Sequence, residues 1–177
     1  MDSDLLKNIQ APLKAKYKDR PETAVVTLKA KGELGLEDLS CSVETGRALV
    51  EAGLHPATGG DGTQACSGDM LLQALVACAG VTLAAVATAL EIDIKNGTVR
   101  AEGDLDFRGT LGVDKEAPVG FRDIRLSFDL DTDADDDKVA ALMKLTERYC
   151  VVYQTLKAPP PIAVDTNRAA RTSEMAP

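Results

Sequence analysis

Alternation of apolar and polar residues is the first pattern that the chain shows, and it marks six stretches as half-buried strands. The first three follow one another at short intervals, which favours antiparallel pairing. The next two are long and form a hairpin around a loop at residues 112–120. The predicted strands span residues 24–31, 39–44, 47–51, 97–109 and 121–130, with a short last strand at Ile162 and Val164.

Helical patterns occupy the segments between these strands. The first predicted helix is a polar-apolar stretch at 4–18, and the second is an uncharged stretch at 70–90 with Ser67 as its N-cap. The third is an amphipathic helix that follows the acidic run at 131–137. A second short helix or turn begins near Cys150 and ends before three prolines. The order of elements predicts an α+β fold with antiparallel sheets rather than alternating βαβ units, because successive strands come first and a helix, a hairpin and further helices follow.

The stretch at 70–90 is long enough to span a bilayer, so its surroundings decide how it is interpreted. Seven of its residues are Ala, and it has neither an aromatic belt nor a flanking Lys or Arg. Acidic residues stand at its ends, at Asp69 and Glu91. We therefore expect a helix that is buried in protein on all sides, and no membrane partner.

Composition limits both the core and the partners. The 177 residues suit one domain, but with no Trp, three Phe and three Tyr the core must consist of aliphatic residues and Ala. Such a core favours close packing of elements or burial against a second subunit. The net charge of −8 repels nucleic acids and anionic membranes, so neither is an expected partner. The first residues lack the basic, apolar pattern of a secretory signal, which predicts a cytoplasmic protein.

The four cysteines are the residues best suited to take part in a chemical reaction. In the cytoplasm we expect thiols or redox groups rather than structural disulfides. Cys41, on the apolar face of a strand, fits a core position, and Cys66 precedes the apolar helix, too far along its axis to bond with Cys78. Cys78 lies midway along that helix, and Cys150 lies where another helix ends. Considered by itself, Cys78 is expected to be a small buried hydrophobic residue. For its thiol to be reactive in the middle of a helix, a cation from another element would have to stabilise the thiolate. With His55 as the only histidine, we predict no metal site and no cofactor.

Two separate segments carry a resemblance to a known family. The first combines a glycine-rich GGDG at 59–62 with SGDMLL at 67–72 and ALVAC at 74–78. The second is ERYCVVYQTL at 147–156. Together they resemble the two signatures of the OsmC/Ohr family, osmotically inducible protein C and organic hydroperoxide resistance protein, in its OsmC-like branch. The resemblance covers roughly residues 24–165.

The resemblance implies an intertwined homodimer in which antiparallel sheets wrap around two central helices, with one site at each end of the interface. It divides the chain into three parts. Residues 1–22 are a partly helical N-terminal extension, residues 23–166 the OsmC-like domain, and residues 167–177 a flexible tail.

The resemblance also implies a thiol-dependent peroxidase, an antioxidant enzyme of the stress response. By position, Cys78 attacks the peroxide and becomes a sulfenic acid. The main expected substrate is an organic hydroperoxide, and hydrogen peroxide is a secondary one. Cys150 then forms a disulfide with Cys78, which an external thiol or dithiol reduces. Arg47 corresponds to the cation that stabilises the thiolate, with Arg148 as its rival, and Asp69 to the acid that orients the arginine.

Four positions depart from the family pattern. Gly68 stands where one branch has a glutamate, and Val151 and Tyr153 stand where the second signature has proline and histidine. Asp69 comes nine residues before Cys78, so on a straight helix it faces the opposite side. A second hypothesis therefore stays open, in which the chain is a non-catalytic member that binds a small apolar or thiol ligand at the dimer interface.

Overall fold

The structure is a computed structural model, and it describes residues 2–4, 8, 10, 11, 15, 19, 20, 32–35, 40–44, 49–112 and 114–166. Within the N-terminal extension, the described residues 3, 4, 8, 10, 11, 15 and 19 have helical backbone. The strand predicted at 24–31, the candidate Arg47 and the tail at 167–177 lie outside the described residues. The three-part division of the chain therefore stays a prediction.

The first sheet contains four short strands in the order β1-β2-β3-β4. Strands β1 (Gly32–Gly35), β2 (Ser40–Glu44) and β3 (Leu49–Gly53) pair antiparallel. The antiparallel pairing of β2 with β3 agrees with the prediction from their short connection, whereas β1 follows the predicted strand at 24–31 and was not itself predicted. Strand β3 ends two residues later than predicted, and its predicted start at Arg47 lies outside the described residues. β4 (Ala65–Cys66) was not predicted, and it pairs parallel to β3 after a loop that contains a 3₁₀ turn at Pro56–Thr58 and brings the chain back alongside β3 in the same direction.

The second sheet is the predicted hairpin, β5 (Asn96–Leu105) and β6 (Phe121–Asp131), and burial alternates along both strands. The prediction that β5 continues to residue 109 is wrong. Asp106 ends the strand because its carboxylate accepts a hydrogen bond from the Arg108 backbone N–H at 3.2 Å. That contact caps a one-turn helix, α2 (Phe107–Thr110), within the connection that was predicted as strand and loop.

Three longer helices complete the fold, each where the sequence predicted one. Helix α1 (Ser67–Ala89) follows β4 directly, so Cys66 and not Ser67 is its N-cap residue. Helix α3 (Asp136–Tyr149) begins where the Asp135 carboxylate accepts a hydrogen bond from the Lys138 backbone N–H at 2.9 Å. Helix α4 (Val151–Lys157) ends just before the prolines.

The last predicted strand does not form. Residues 159–166 have no regular secondary structure, and Ile162 and Val164 are each 85% exposed. Three consecutive prolines at 159–161 remove the backbone N–H groups that would start a ladder. Two alternating apolar residues are too short a pattern to offset that loss.

The core lies where α1 crosses α3 and the inner face of the hairpin. Every fourth residue of α1 is buried in one stripe, at Leu75, Ala79, Leu83 and Ala87. Leu83 and Ala87 pack with Ile92 and with the fully buried Leu142 of α3. The small Ala side chains let the elements approach closely, as a core poor in aromatic residues requires.

Outside this buried stripe, α1 is only partly covered in the single chain. Only 28% of its most apolar stretch is buried, and Val81 is 73% exposed. By length and composition alone, α1 is the one helix in the described part of the chain that could cross a membrane. Core helices of globular proteins can have the same length and apolar composition when another subunit covers them. The all-round burial that the sequence predicted is therefore incomplete in a single chain.

Candidate functional site

Two cysteines from separate elements meet beside the core. Cys78 lies half-buried in the middle of α1, and Cys150 is the single residue between α3 and α4, 1% exposed. The two thiols lie close enough for each to shift the pKa of the other. Both are free thiols. The structure thus brings together the two cysteines that the sequence selected.

The junction between α3 and α4 presents Cys150 to α1. The Cys150 backbone N–H donates to the Thr146 carbonyl at 2.9 Å and so ends α3, while its own carbonyl accepts from Gln154 at 3.0 Å and begins α4. Cys150 is therefore the N-cap of α4, and the next three backbone N–H groups have no acceptor within the helix. Those N–H groups are available to the two sulfur atoms.

The surroundings of Cys78 favour its thiolate. Burial on its own raises the pKa of Cys78. Hydrogen bonds from the Val152 backbone N–H, the Cys150 thiol and the Val151 backbone N–H outweigh that cost, with a smaller contribution from Thr82. The net result is that the pKa of Cys78 is lowered from the ordinary value of a thiol. A lower pKa is what a nucleophilic cysteine needs at neutral pH.

The pKa of Cys150 moves in the opposite direction. Burial raises it first, and although the Tyr153 backbone N–H lowers it, the hydrogen bond donated to Cys78 and the negative charge there raise it again. Cys150 therefore keeps its proton when Cys78 loses one. This is the division of roles that a thiolate and its thiol donor require.

Thr82 lies one turn after Cys78 on the same face of α1. Its hydroxyl donates to the Cys78 carbonyl at 2.7 Å. Because a hydroxyl has one proton, that bond competes with any donation to the sulfur. The backbone N–H groups of α4 are consequently the stronger support for the thiolate.

Neither of the two described charged candidates, Asp69 and Arg148, is among the groups that shift the pKa of Cys78. Asp69 lies exposed in the first turn of α1, two and a half turns before Cys78. The Arg148 guanidinium lies over the Tyr149 ring, 5.7 Å from its centre. Among the described residues, the groups that hydrogen-bond Cys78 carry no formal charge. The roles of Arg47 and Asp69 therefore stay predictions.

The positions that depart from the family pattern have defined surroundings. Gly68 faces apolar groups, since an added Cβ would lie 3.5 Å from both Leu105 Cδ1 and Phe121 Cζ. A carboxylate at this position would therefore lack polar partners on that side. Val151 supplies a backbone N–H that proline lacks, and Tyr153 donates its hydroxyl to Glu147 at 3.0 Å.

The sequence did not reveal the main-chain donors of α4 or the supporting Thr82 and Glu147. Backbone N–H groups belong to every residue except proline, so residue type does not identify them. The one available signal was Val151 at a proline position, because it adds a donor at the start of a helix.

Apolar cavities flank the cysteine pair along α1. One of about 540 Å³ reaches Leu75, three residues before Cys78, and continues over β6 and α4. Another of about 490 Å³ reaches Thr82, four residues after Cys78, and continues to Tyr149. Both positions share the face of α1 that carries Cys78. Both cavities therefore reach α1 within about one turn of Cys78, although neither is lined by Cys78 or Cys150.

No cluster of metal ligands occurs in the part of the chain that the structure describes. His55 is used locally, since its Nδ1 accepts from the Ala57 backbone N–H at 3.0 Å and its ring stacks on Phe107 at 4.9 Å. Its neighbouring loop needs glycine at two positions, because Gly59 and Gly62 have φ values of 97° and 80°.

Comparison with known proteins places the cysteine pair inside a family match. Residues 60–165 match the family described as OsmC-like protein, which is more than half of the chain. The matched range includes Cys78 and Cys150 together with α1, α3 and α4. No curated protein sequence is similar enough to count as a match.

Solved structures with low sequence identity share the fold. An OsmC-like protein from Mycoplasma pneumoniae has a TM-score of 0.63 at 17% identity, covering 76% of this chain and 89% of its own. An organic hydroperoxide resistance protein from Legionella pneumophila has 0.59 at 17%, covering 76% and 91%. One from Elizabethkingia anophelis has 0.60 at 15%, also covering 76% and 91%.

Proposed function

The chain belongs to the OsmC-like protein family, and on that premise we propose that it is a cysteine-based peroxidase that reduces organic hydroperoxides. The observation that carries the proposal is the thiol pair. A half-buried Cys78 whose pKa is lowered by neutral donors lies against a buried, protonated Cys150. Similar structures named as organic hydroperoxide resistance proteins support the choice of substrate class.

The first step uses the Cys78 thiolate as a nucleophile. It attacks the outer oxygen of a hydroperoxide ROOH, so an S–O bond forms as the O–O bond breaks. Cys78 becomes a sulfenic acid, and the alkoxide takes up a proton and leaves as the alcohol ROH. The sulfur loses two electrons, and the peroxide gains them.

The second step uses the neighbouring thiol. Cys150 attacks the Cys78 sulfur, so that the disulfide forms, the S–O bond breaks and hydroxide leaves with the Cys150 proton as water. An external thiol or dithiol then reduces the disulfide by exchange and is itself oxidised. Such a cycle requires a reducing compartment, so a cytoplasmic location is part of the proposal.

Substrate preference follows from the surroundings of the pair. The cavity on the Leu75 side has apolar walls at Leu75, Ile124, Leu126 and Phe128, and charged side chains also line it, at Arg122, Asp123, Glu147 and Lys157. Burial of an alkyl group contributes about 25 cal/mol for each Å² removed from water, and hydrogen peroxide has no such group. We therefore expect a larger rate constant with alkyl hydroperoxides than with hydrogen peroxide.

A homodimer is the second part of the proposal. The open face of α1, with Val81 73% exposed, needs a cover of comparable apolar character. A second copy of α1 provides one, and the short Ala and Gly side chains permit close approach. The peroxidase site would then lie near the interface.

The alternative is a non-catalytic protein that holds a small apolar or thiol ligand in the same place. The apolar cavity of about 490 Å³ beside Thr82 favours it. The two functions differ in the fate of Cys78, because a binding protein has no need to oxidise this residue.

Peroxide consumption by the purified protein decides between them. We expect loss of an alkyl hydroperoxide at a rate that depends on added dithiol, and no enzymatic loss with Cys78→Ser. Cys66→Ser is the matched control, since it removes a thiol outside the pair. Stoichiometric binding of the hydroperoxide without its reduction would favour the ligand-binding function instead.

A further inference from the structure

Glu147, in the last turn of α3, receives two hydrogen bonds from α4. The Tyr153 hydroxyl donates to its carboxylate Oε2 at 3.0 Å. The Gln154 side-chain amide Nε2 donates to its backbone carbonyl at 2.7 Å. Both bonds connect residues on either side of Cys150, which is the only residue between the two helices.

Helix α4 depends on its neighbours to fix its direction. It is seven residues long, and none of its residues is buried. A helix this short is marginal on its own, so tertiary contacts must hold it. Its contacts are with α1 and α3, and on the α3 side the Glu147 bonds tie it down at two successive residues.

The direction of α4 matters because of what its first turn contacts. The backbone N–H groups of Val151 and Val152 lower the pKa of Cys78, and those of Tyr153 and Val152 act in the same direction on the pKa of Cys150. Hydrogen bonds weaken steeply when the donor is misaligned. A small rotation of α4 about Cys150 would therefore weaken several of these contacts together.

We propose that Glu147, Tyr153 and Gln154 form a clamp that positions the first turn of α4 against Cys78 and holds Cys150 beside it. None of the three touches the reacting sulfur through its side chain, so they are positioning residues. The effect of the clamp on peroxidase activity rests on the proposed function. Its effect on the ionisation of the Cys78 thiol can be tested without any peroxide.

Tyr153 is suited to this role by its second contact. The Lys157 ammonium lies 5.5 Å from the centre of its ring, one turn further along α4. The ring is thus held on one side while its hydroxyl reaches back to α3. Phenylalanine would keep the ring contact and lose only the hydroxyl, which makes Tyr153→Phe a selective substitution.

The experiment measures the pH dependence of Cys78 alkylation by iodoacetamide, followed by peptide mass spectrometry on the full chain. Glu147→Ala removes the acceptor of the Tyr153 hydroxyl, and we expect the rate at pH 7 to fall about threefold to tenfold. Tyr153→Phe is expected to lower it in the same direction. Glu147→Gln keeps a side-chain oxygen acceptor and is expected to restore most of the rate. Glu116→Ala, on the exposed loop before β6, is the matched control.

Several results would overturn the clamp. One is an unchanged pH profile in Tyr153→Phe with a native circular dichroism spectrum. Another is Glu147→Gln as slow as Glu147→Ala, because the charge would then matter and the hydrogen bond would not. If Glu147→Ala fails to fold, the alkylation rates of Tyr153→Phe and Glu147→Gln still test the clamp. If the wild-type protein consumes no hydroperoxide, the proposed function fails, while the alkylation profiles still judge the clamp.

Discussion

Cys78 and Cys150 lie close enough for each thiol to shift the pKa of the other, although the two residues come from different helical segments of the chain. Their interaction lowers the pKa of Cys78 and raises that of Cys150. One thiol is thereby prepared to react as a thiolate and the other to remain protonated. The partner that would later form the disulfide also assists the first step.

Val151→Pro tests the main-chain support of the thiolate. Proline lacks the N–H that reaches Cys78, and the first position of a helix is where proline is tolerated best. We expect the pKa of Cys78 to rise and its alkylation at pH 7 to slow by about threefold to tenfold. The measurement is the alkylation rate between pH 5 and 10.

Val151→Ala is the matched control, because it trims the side chain and keeps the N–H. Its alkylation profile should overlay that of the wild type. Equal slowing in both variants would show that the Val151 side chain matters and that its N–H does not.

Cys150→Ser separates the two steps of the cycle. Serine preserves a small polar group but cannot form the disulfide. After one equivalent of an alkyl hydroperoxide, we expect the Cys78 sulfenic acid to persist and to be trapped by dimedone, whereas the wild type yields a Cys78–Cys150 disulfide. Intact and peptide mass spectrometry distinguish the products. A wild-type disulfide that involves Cys66 would contradict the assignment.

Arg47→Ala and Arg148→Ala test whether a cation is required as well. If Arg47 supports the thiolate, its loss removes a charge-assisted contact of about 1.5–3 kcal/mol and slows hydroperoxide reduction by roughly one to two powers of ten. Arg148, which stacks on Tyr149, should matter less. Second-order rate constants with one alkyl hydroperoxide provide the comparison. An unaffected Arg47→Ala enzyme would indicate that the neutral donors suffice.

Asp106 sets an acid limit on stability. A hydrogen bond from Arg108, helped by the Arg108 and Arg122 charges, lowers the pKa of Asp106 from 3.8 to about 2. Because the folded pKa lies below the unfolded one, this contribution is complete above about pH 4 and disappears as the pH falls toward 2. Asp106→Asn should therefore melt earlier than the wild type at pH 5, and the gap should close toward pH 2.

Thermal unfolding at pH 5, 4, 3 and 2 measures that gap. Asp165→Asn, in the exposed segment after α4, is the control and should follow the wild type throughout. A gap that stays constant with pH would assign the effect of Asp106→Asn to capping geometry and not to charge.

Val81→Lys tests the proposed subunit interface. A lysine in the middle of the open face of α1 would have to be buried between two helices, at a cost of several kcal/mol. We expect sedimentation to show a dimer for the wild type at micromolar concentration and a monomer or aggregate for this variant. Val119→Lys, in the exposed loop before β6, should remain dimeric. A folded wild-type monomer would exclude the interface.

Several features follow from the sequence alone. Alternation with period two located β5 and β6, and the uncharged run located α1, because each pattern reflects burial of one face or of a whole element. The two segments that resemble the OsmC/Ohr signatures selected Cys78 and Cys150, and the family match over residues 60–165 confirms the family. These are local properties, which a linear chain displays directly.

The tertiary structure decided how the site is arranged. The sequence called for a cation near Cys78, yet the described donors are the N–H groups of Val151 and Val152, which become available only because α4 starts beside α1. Equally, β4 and α2 depend on where a loop returns and on which N–H the Asp106 carboxylate reaches. Such contacts join residues that are distant in sequence or use groups common to all residues. Their positions are set by packing, and residue type alone does not carry that information.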